Sequence, residues 1–240
     1  MARSLDINIE TCFKYQSMPS RPRFDVSRLR TDDGVPKARL AASQLRRHRR
    51  IVDAVIELAE KGGFEGVRLR DVAEVSEVAL GTLYKYFHSK EDILLFALTE
   101  ELEKLETAMA THPVDGKSAL ARVTRFFERA TRGMTYRPQF ARAMLRAMAS
   151  GDAQVSSKVA GFHSRMTRLI VAAVRGKPVD LSRELSGATS TERERQVAFI
   201  LQNVWFAALI GWAGGLHPTR DIVAPVRTAA ALMHTKSSED

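Results

Sequence analysis

Residues 70–87 form the segment that most constrains how this chain can fold. Two short runs of apolar residues at helical spacing are joined there by a tight turn, and their side chains can face one small core. These core candidates are Leu69, Val72, Ala73, Val78, Leu83 and Phe87. Thr82, Tyr84, Lys85 and Tyr86 then project away from that core. A short helix that exposes polar, aromatic and basic tips on a packed support is typical of a helix-turn-helix that reads DNA.

Positive charge is concentrated before this segment rather than within it. The chain of 240 residues has a formal net charge of +9, divided as +7 over residues 1–50, −5 over 51–100 and +7 over 101–240. Arg46, Arg47, Arg49 and Arg50 lie in the approach to the helix-turn-helix. Their guanidinium groups can displace counterions from DNA phosphates. For residues 1–40, the alternative is a solvated, disordered basic tail.

The rest of the chain is predicted to be all-α, since no segment shows the alternation of a strand. A first helix is expected over about 44–61 and ends at Gly62-Gly63, while Ser89 with Asp92 and Thr191 with Glu194 resemble capping boxes that begin later helices. Further helices are expected at about 117–132, 138–150, 154–175, 192–213 and 220–235. The chain thus divides into a flexible basic arm (1–42), a small helix-turn-helix domain (43–88) and a larger helical domain (89–240).

One segment is long enough to span a membrane. Residues 196–219 contain no charged side chain. Polar and glycine residues dilute the run, however, and its large apolar residues form one helical stripe, which favours a buried or dimer-forming helix. This stripe consists of Val197, Ile200, Leu201, Val204, Trp205, Ala208, Leu209 and Trp212.

Enzymatic and metal-dependent functions find no support in the sequence. The six histidines are dispersed without the spacing of a zinc hydrolase, and neither a phosphate loop nor a serine elbow occurs. We therefore expect no catalytic residues, no metal and no cofactor. Cys12 is the only cysteine and no secretory signal is evident, so a cytoplasmic location is expected.

Residues from Phe64-Glu65 through Asp92, centred on Gly81-Thr82-Leu83-Tyr84-Lys85-Tyr86-Phe87 and Ser89-Lys90, resemble the TetR-type transcriptional regulators. The resemblance implies a three-helix DNA-binding domain joined by a fourth helix to a ligand-binding and dimerisation domain. Two positions depart from the family pattern, because Glu77 replaces a turn glycine and Ala79 replaces a capping hydroxyl residue. Glu77 would be strained in a left-handed conformation, so a differently wound turn is expected.

A narrower likeness relates residues 78–87 and the Asn203-Val204-Trp205 region to actinobacterial repressors of steroid and cholesterol catabolism. This likeness implies a bulky apolar effector, such as a steroid or fatty acyl thioester of coenzyme A.

Ten residues are candidates for DNA binding. Thr82 and Lys85 are predicted to contact base edges, and the others to contact phosphates or to bring the helix close to the DNA backbone. The set is Arg46, Arg47, Arg68, Leu80, Gly81, Thr82, Tyr84, Lys85, Tyr86 and Lys90. For the two tyrosines the alternative is packing within the small domain, and for the arginines a solvated surface.

Nine residues of the larger domain are candidates for an effector site. They are Phe126, Met134, Phe140, Met144, Met148, Phe162, Met166, Trp205 and Leu209. Aromatic and methionine side chains provide deformable apolar walls, although core packing explains the same spacing. Arg142, Arg146, His163 and Arg165 are candidates for holding an anionic group.

These features predict a homodimeric repressor that binds a palindromic DNA operator and releases it when the effector binds. The stripe of residues 197–212, together with Ile222, Val226, Ala229, Ala230 and Met233, is predicted to form the dimer interface as a four-helix bundle. The alternative is a membrane-associated helical interaction protein that uses residues 197–216 as an anchor.

Overall fold

The computed structural model describes residues 37–153, 155–179 and 190–235, and these residues form helices without a β-strand. The helices are α1 (Lys37–Gly66), α2 (Leu69–Ser76), α3 (Leu80–Tyr86), α4 (Lys90–Thr111), α5 (Ala119–Thr135), α6 (Pro138–Met148), α7 (Ser156–Arg175), α8 (Glu192–Ala213) and α9 (Val223–Thr235), with a short 3₁₀ turn at Thr219–Asp221 before α9. The predicted all-α class is confirmed. Residues 1–36 of the predicted arm lie outside the described residues.

Helix α1 begins at Lys37, earlier than the predicted start of order at residue 43. Residues 37–42 are Lys, Ala, Arg, Leu, Ala and Ala, all of which favour helix, so α1 extends into the segment predicted as an arm. The division of the chain into an arm and two domains stays a prediction. Near the other end of α1, Gly63 leaves the helical conformation with φ 60° and ψ −154°. The glycine pair therefore interrupts the helix as predicted, and the chain bends before Phe64 and Glu65.

The turn between α2 and α3 is left-handed although no glycine is present. Glu77 has φ 53° and ψ 40°, and the next amide, of Val78, donates to Ala73 O at 3.0 Å. The expectation of a differently wound turn is therefore wrong. Left-handed backbone costs a non-glycine residue about 1–2 kcal/mol, but the backbone hydrogen bonds and an ion pair from Arg50 Nη1 to Glu77 Oε2 at 2.8 Å hold the turn. Ala79 provides no side-chain cap for α3, as its side chain implies.

Both predicted helix starts are capped by their hydroxyl side chains, but the full capping box forms at α8 and not at α4. At α4, Ser89 Oγ accepts a hydrogen bond from Asp92 N at 3.1 Å. The carboxylate of Asp92 in turn accepts from the backbone amide of His88 at 3.1 Å. At α8, Glu194 N donates to Thr191 Oγ1 at 3.2 Å while Thr191 N donates to Glu194 Oε2 at 2.7 Å. These bonds satisfy amides at the helix starts, which fixes where α4 and α8 begin.

One continuous hydrophobic core runs from the small domain into the larger one. Helix α6 packs against both α1 and α4, while α7 contacts α4, α5 and α8, and α9 lies on α5 and α8. The small domain is thus joined to the larger one through two routes, along α4 and across the α1–α6 contact.

The predicted dimer stripes lie inside the chain's own core. In α8, Leu201, Trp205 and Leu209 are at most 2% exposed, and Ile222, just before α9, and Val226, within α9, are fully buried. Side chains packed within one chain cannot also face a second chain, so the predicted interface is wrong for these residues; Ile200 of the predicted stripe is an exception and is 45% exposed. The outward face of α8 instead carries Gln196, Ile200, Asn203, Ala207 and Ile210.

Among the described residues, α8 is the one helix long and apolar enough to cross a membrane. Leu201, Trp205, Leu209 and Trp212 pack against other helices of the chain, whereas Ile200 and Ile210 are exposed. One face of the helix is therefore buried, which agrees with the prediction of a buried or dimer-forming helix.

Candidate DNA-binding surface and effector core

Helix α3 presents a polar surface on a fixed support. Leu83 is fully buried, whereas Gly81, Tyr84 and Lys85 are exposed and Thr82 is half-buried. Tyr86 and Leu80 pack against the edge of the core. The predicted division of α3 into a buried and a projecting face is therefore present, with Tyr86 partly on the buried side.

Gly81 has no packing partner that would require a glycine. A Cβ built at this position meets no protein atom within 4 Å. Nothing within the chain explains the missing side chain, which leaves close approach by DNA or simple tolerance as the two explanations.

The predicted cations lie around the same domain in three places. On α1, Arg46 is exposed and Arg47 is half-buried, one turn before Arg50. Arg50 contacts the α2–α3 turn through its ion pair with Glu77. Arg68 is exposed immediately before α2. Lys90 is engaged by protein groups, because its Nζ lies 2.7 Å from Glu65 Oε2 and 4.1 Å from the centre of the Phe64 ring. A phosphate contact by Lys90 remains a prediction.

A junction between the two domains was not anticipated from the sequence. Arg146 of α6 lies 4.3 Å from the Phe64 ring centre, and its Nη2 lies 2.8 Å from Glu65 Oε1. Phe64 and Glu65 at the end of α1 are therefore held by Lys90 of α4 and Arg146 of α6. The lysine hydrogen bond, above all, holds the pKa of the Glu65 carboxyl below its usual value. We call Phe64, Glu65, Lys90 and Arg146 the domain junction.

Glu60 adds a second contact across the two domains. Its Oε2 accepts hydrogen bonds from the backbone amides of Gln139 and Phe140 at 3.1 and 3.0 Å. Pro138 is the first residue of α6, and Arg137 supplies no side-chain cap. Glu60 of α1 therefore caps α6 from another helix, and its negative charge lies at the positive end of the α6 dipole. No local sequence pattern signals such a cap, since 79 residues separate the partners.

The nine predicted effector residues come together in the interior. Seven are almost fully buried, and Met134 and Met148 pack partly buried against the same core. Trp205 donates its indole N–H to Thr131 Oγ1 at 2.8 Å, and its ring centre lies 5.6 Å from that of Phe127. Two hollows in the described part of the chain are lined by other residues. Because the candidate effector residues are packed in the core, a bulky ligand must displace packed side chains to enter between them.

The four predicted anion-binding residues are engaged within the protein. Arg142 lies 4.9 Å from the Trp212 ring centre, Arg146 belongs to the domain junction, and Arg165 Nε donates to Glu106 Oε1 at 2.9 Å. His163 lies beside Gln202, and burial lowers the pKa of its imidazole. These contacts leave little of their charge for an effector.

A buried group of charges joins α4 to α7. Glu106 is 5% exposed and meets both Arg165 and Arg168, whose Nη2 lies 2.6 Å from Glu106 Oε1. Burial alone would raise the pKa of the Glu106 carboxyl, but the two guanidinium groups outweigh burial and lower it. Nearby, burial and the charge of Glu103 raise the pKa of Glu100 to about 7. A charged and a readily protonated carboxyl thus lie on the same helix, α4.

Sequence comparisons agree with this architecture. A family model described as bacterial regulatory proteins of the tetR family matches residues 51–96. A second model, described as a tetracyclin repressor-like C-terminal domain, matches residues 116–233. The chain belongs to the TetR family of transcriptional regulators. Members of this family are regulators and not enzymes, which confirms the expected absence of enzymatic function.

One curated repressor and two solved structures are similar to this chain over most of its length. The HTH-type transcriptional repressor KstR of Rhodococcus jostii is 35% identical over 191 residues, which cover 80% of this chain and 84% of KstR. Among solved structures, a TetR regulator from Rhodococcus sp. RHA1 aligns with a TM-score of 0.67 and 23% identity over 79% of this chain and 96% of that one. Thermus thermophilus FadR, solved with lauroyl-CoA, aligns with a TM-score of 0.55 and 20% identity over 77% and 92% of the two chains.

Proposed function

We propose that this regulator is a dimeric repressor that binds a palindromic operator through α3 and is released by a bulky apolar effector. The observation that carries the proposal is the exposed face of α3, with Tyr84 and Lys85 held outward by buried Leu83. Thr82 and Lys85 contact base edges in the major groove. The similarity to KstR supports repression as the direction of control.

The dimer forms through the outward face of α8. Ile200 and Ile210 are 45% and 43% exposed, and Asn203 and Ala207 lie between them on the same face. Leu232 on the neighbouring helix α9 is 65% exposed. A second copy related by a two-fold axis covers these apolar side chains and places two α3 helices on one face of the DNA. Half-sites are then separated by about 34–36 Å, or a multiple of that spacing.

Effector binding reaches α3 through α6. Phe140 and Met144 lie in the candidate effector core, and the same helix contacts α1 through Glu60 and Arg146. An effector that separates the packed core displaces α6, and α6 then moves α1 and the rest of the small domain. The effector must prefer the arrangement that does not fit DNA, because equal affinity for both arrangements would shift nothing.

The effector class we propose is a steroid or fatty acyl-CoA thioester. Its apolar part replaces core contacts made by methionine side chains such as Met144 and Met166, which adapt easily to a new shape. The fold shared with FadR, which was solved with lauroyl-CoA, supports the acyl-CoA form. The resemblance of residues 78–87 to repressors of steroid catabolism supports the steroid form.

Operator selection from genomic DNA with purified protein tests the proposal directly. Binding to the selected site is then measured at two salt concentrations, with and without acyl- and steroid-CoA candidates. A short palindrome with steep salt dependence is expected, because phosphate contacts release counterions. Protein that selects no sequence would refute the proposal and would revive the alternative of a membrane-associated interaction protein.

Lys85→Ala tests the reading helix. Loss of one base contact should weaken operator binding by about 5–100-fold without changing the dimer. Lys61→Ala is the matched control, since Lys61 is exposed on α1 and pairs with Glu57. Unchanged affinity of Lys85→Ala would remove Lys85 from the DNA contacts.

A further inference from the structure

An open groove lies between α5 and the segment that leads into α9. Its volume is about 340 Å³, within the range of small-molecule sites. The groove is lined by Glu128, Thr131, Arg132, Thr135, Thr219, Arg220, Val223, Ala224 and Arg227. It contains none of the nine residues predicted to bind the effector.

The groove carries an excess of positive charge. Three arginines line it against one carboxylate, that of Glu128. Within the described part of the chain, Arg132 and Arg227 are exposed and form no ion pair. Arg220 is 84% exposed, and its closest carboxylate is that of Asp221 at 3.8 Å.

Three other arginines of the larger domain are neutralised by carboxylates. Arg125 pairs with Asp115 at 2.7 Å, Arg168 with Glu106 at 2.6 Å and Arg175 with Glu194 at 2.6 Å. Arg132 and Arg227 line the groove without an ion pair to the other described residues, and with Arg220 they outnumber its one lining carboxylate, that of Glu128, so the groove is suited to anions. Phosphate suits these arginines best, because its oxygens accept paired hydrogen bonds from the planar guanidinium fork.

The groove shares a wall with the candidate effector core. Thr131 lines the groove but is only 4% exposed, and its hydroxyl oxygen accepts the hydrogen bond from Trp205. Next to it on α5, Phe126 and Phe127 face the core and Arg132 lines the groove. Thr131 therefore belongs both to the lining of the groove and, through its hydrogen bond with Trp205, to the apolar interior.

We propose that this groove binds the phosphate-bearing end of the effector while its apolar end occupies the core beyond Thr131 and Trp205. The inference rests on the proposed function and specifies it, because it requires an effector with at least two anionic phosphate oxygens at one end, as in a CoA thioester. It also assigns anion binding to Arg132, Arg220 and Arg227 in place of Arg142, Arg146, His163 and Arg165, which are engaged within the fold.

The experiment compares two double variants of the full chain. Arg132→Gln/Arg227→Gln removes two charges from the groove. Lys117→Gln/Lys177→Gln removes two charges from exposed positions of the same domain outside the groove. Binding of lauroyl-CoA, coenzyme A, laurate and inorganic phosphate is measured by calorimetry, and operator binding without any effector is measured on the same samples.

The groove variant should bind lauroyl-CoA and coenzyme A about 10–100-fold more weakly than the wild type, since two charge-assisted contacts are lost. The affinity of the lysine control for both CoA compounds should stay within about twofold of the wild type. Lys117 and Lys177 do not line the groove, so they are too far away to form hydrogen bonds with a ligand bound there. Laurate binding should be the same in all three proteins. Thermal unfolding shows whether the variants are folded, and Arg220→Gln gives a second, single-charge test of the same groove.

Four results would overturn the inference. The first is unchanged CoA affinity in the groove variant, and the second is an equal loss in the lysine control. The third is wild-type protein that binds neither CoA compound, and the fourth is wild-type protein that binds inorganic phosphate as tightly as coenzyme A. Operator binding without effector tests the DNA-binding proposal separately. That proposal stands if the wild type binds the operator, whatever the effector results are, and it is refuted if the wild type does not bind the operator.

Discussion

The cap that Glu60 supplies to α6 leads to a quantitative prediction. Glu60→Ala removes the acceptor of two backbone hydrogen bonds, from Gln139 and Phe140, at a helix start that has no cap of its own. Removal of a helix cap costs about 0.5–2 kcal/mol, and loss of a negative charge from a helix N-terminus about 0.3–1 kcal/mol. Because water replaces part of both interactions at this half-buried site, we expect a loss of about 1–2 kcal/mol in the free energy of unfolding.

Chemical and thermal unfolding measure this loss. For a chain of this length, 1 kcal/mol lowers Tm by about 2–4 °C, so Glu60→Ala should melt about 2–8 °C below the wild type. Glu60→Gln should fall between the two, because the amide oxygen still accepts hydrogen bonds without the charge. The matched control is Glu57→Ala, one turn earlier on α1, which removes only an exposed pair with Lys61 worth about 0.5 kcal/mol or less.

The same contact should influence regulation. Glu60 connects the helix that supports the DNA-binding domain to a helix of the effector core, so its loss should reduce the ratio between operator affinities measured with and without effector. Equal melting temperatures for Glu60→Ala and Glu57→Ala would refute the reasoning on stability. An unchanged affinity ratio would show that regulation does not depend on this contact.

Three further predictions concern other parts of the molecule. Gly81→Ala should raise the free energy of unfolding by about 0.5–1 kcal/mol, since a Cβ there meets no protein atom, yet it should weaken operator binding if α3 lies close to the DNA backbone. Urea unfolding measures the first effect and operator titration the second. Unchanged operator affinity would mean that the glycine is merely tolerated. Glu100 has a folded pKa of about 7, above the ordinary 4.5, so the stability present below pH 4.5 is lost as pH rises through 7. Glu100→Gln should therefore exceed the wild type in unfolding free energy by about 1–2 kcal/mol at pH 8, less than the full pKa shift implies because solvent screens this half-buried carboxyl, and should match it near pH 4.5. The same difference at both pH values would contradict this assignment. Ile200→Asp should produce monomers in analytical ultracentrifugation because it places a charge on the outward face of α8. The control Tyr136→Asp, at a residue 80% exposed on another face, should leave the dimer intact. A persistent Ile200→Asp dimer would place the interface elsewhere.

Signals within a few residues were interpreted correctly. Ser89 and Thr191 cap their helices through partners three residues away, and the bounds predicted for α8 agree with the structure. The interruption at Gly63 was likewise visible from the glycine pair. Each of these features depends on backbone geometry within a single turn, which residue types specify directly.

Errors arose where two local tendencies competed. Glu77 adopts the left-handed conformation that its side chain disfavours, because the hydrogen bond from Val78 and the position of α3 require that turn. The helix propensity of residues 37–42 extends α1 into the predicted arm. In both cases the energy of one residue's preference is about 1 kcal/mol, which neighbouring structure readily outweighs.

The sequence by itself determined the helices, the reading helix and the membership of the family, because these follow from periodicity and short motifs. Only the tertiary structure decided which apolar stripe of α8 is buried, which arginines are neutralised and which surround the groove beside α5. The cap of α6 by Glu60 and the junction around Phe64 also depend on contacts between distant residues. Periodicity shows that a helix has an apolar face, but the partner of that face is set by how all the helices pack together.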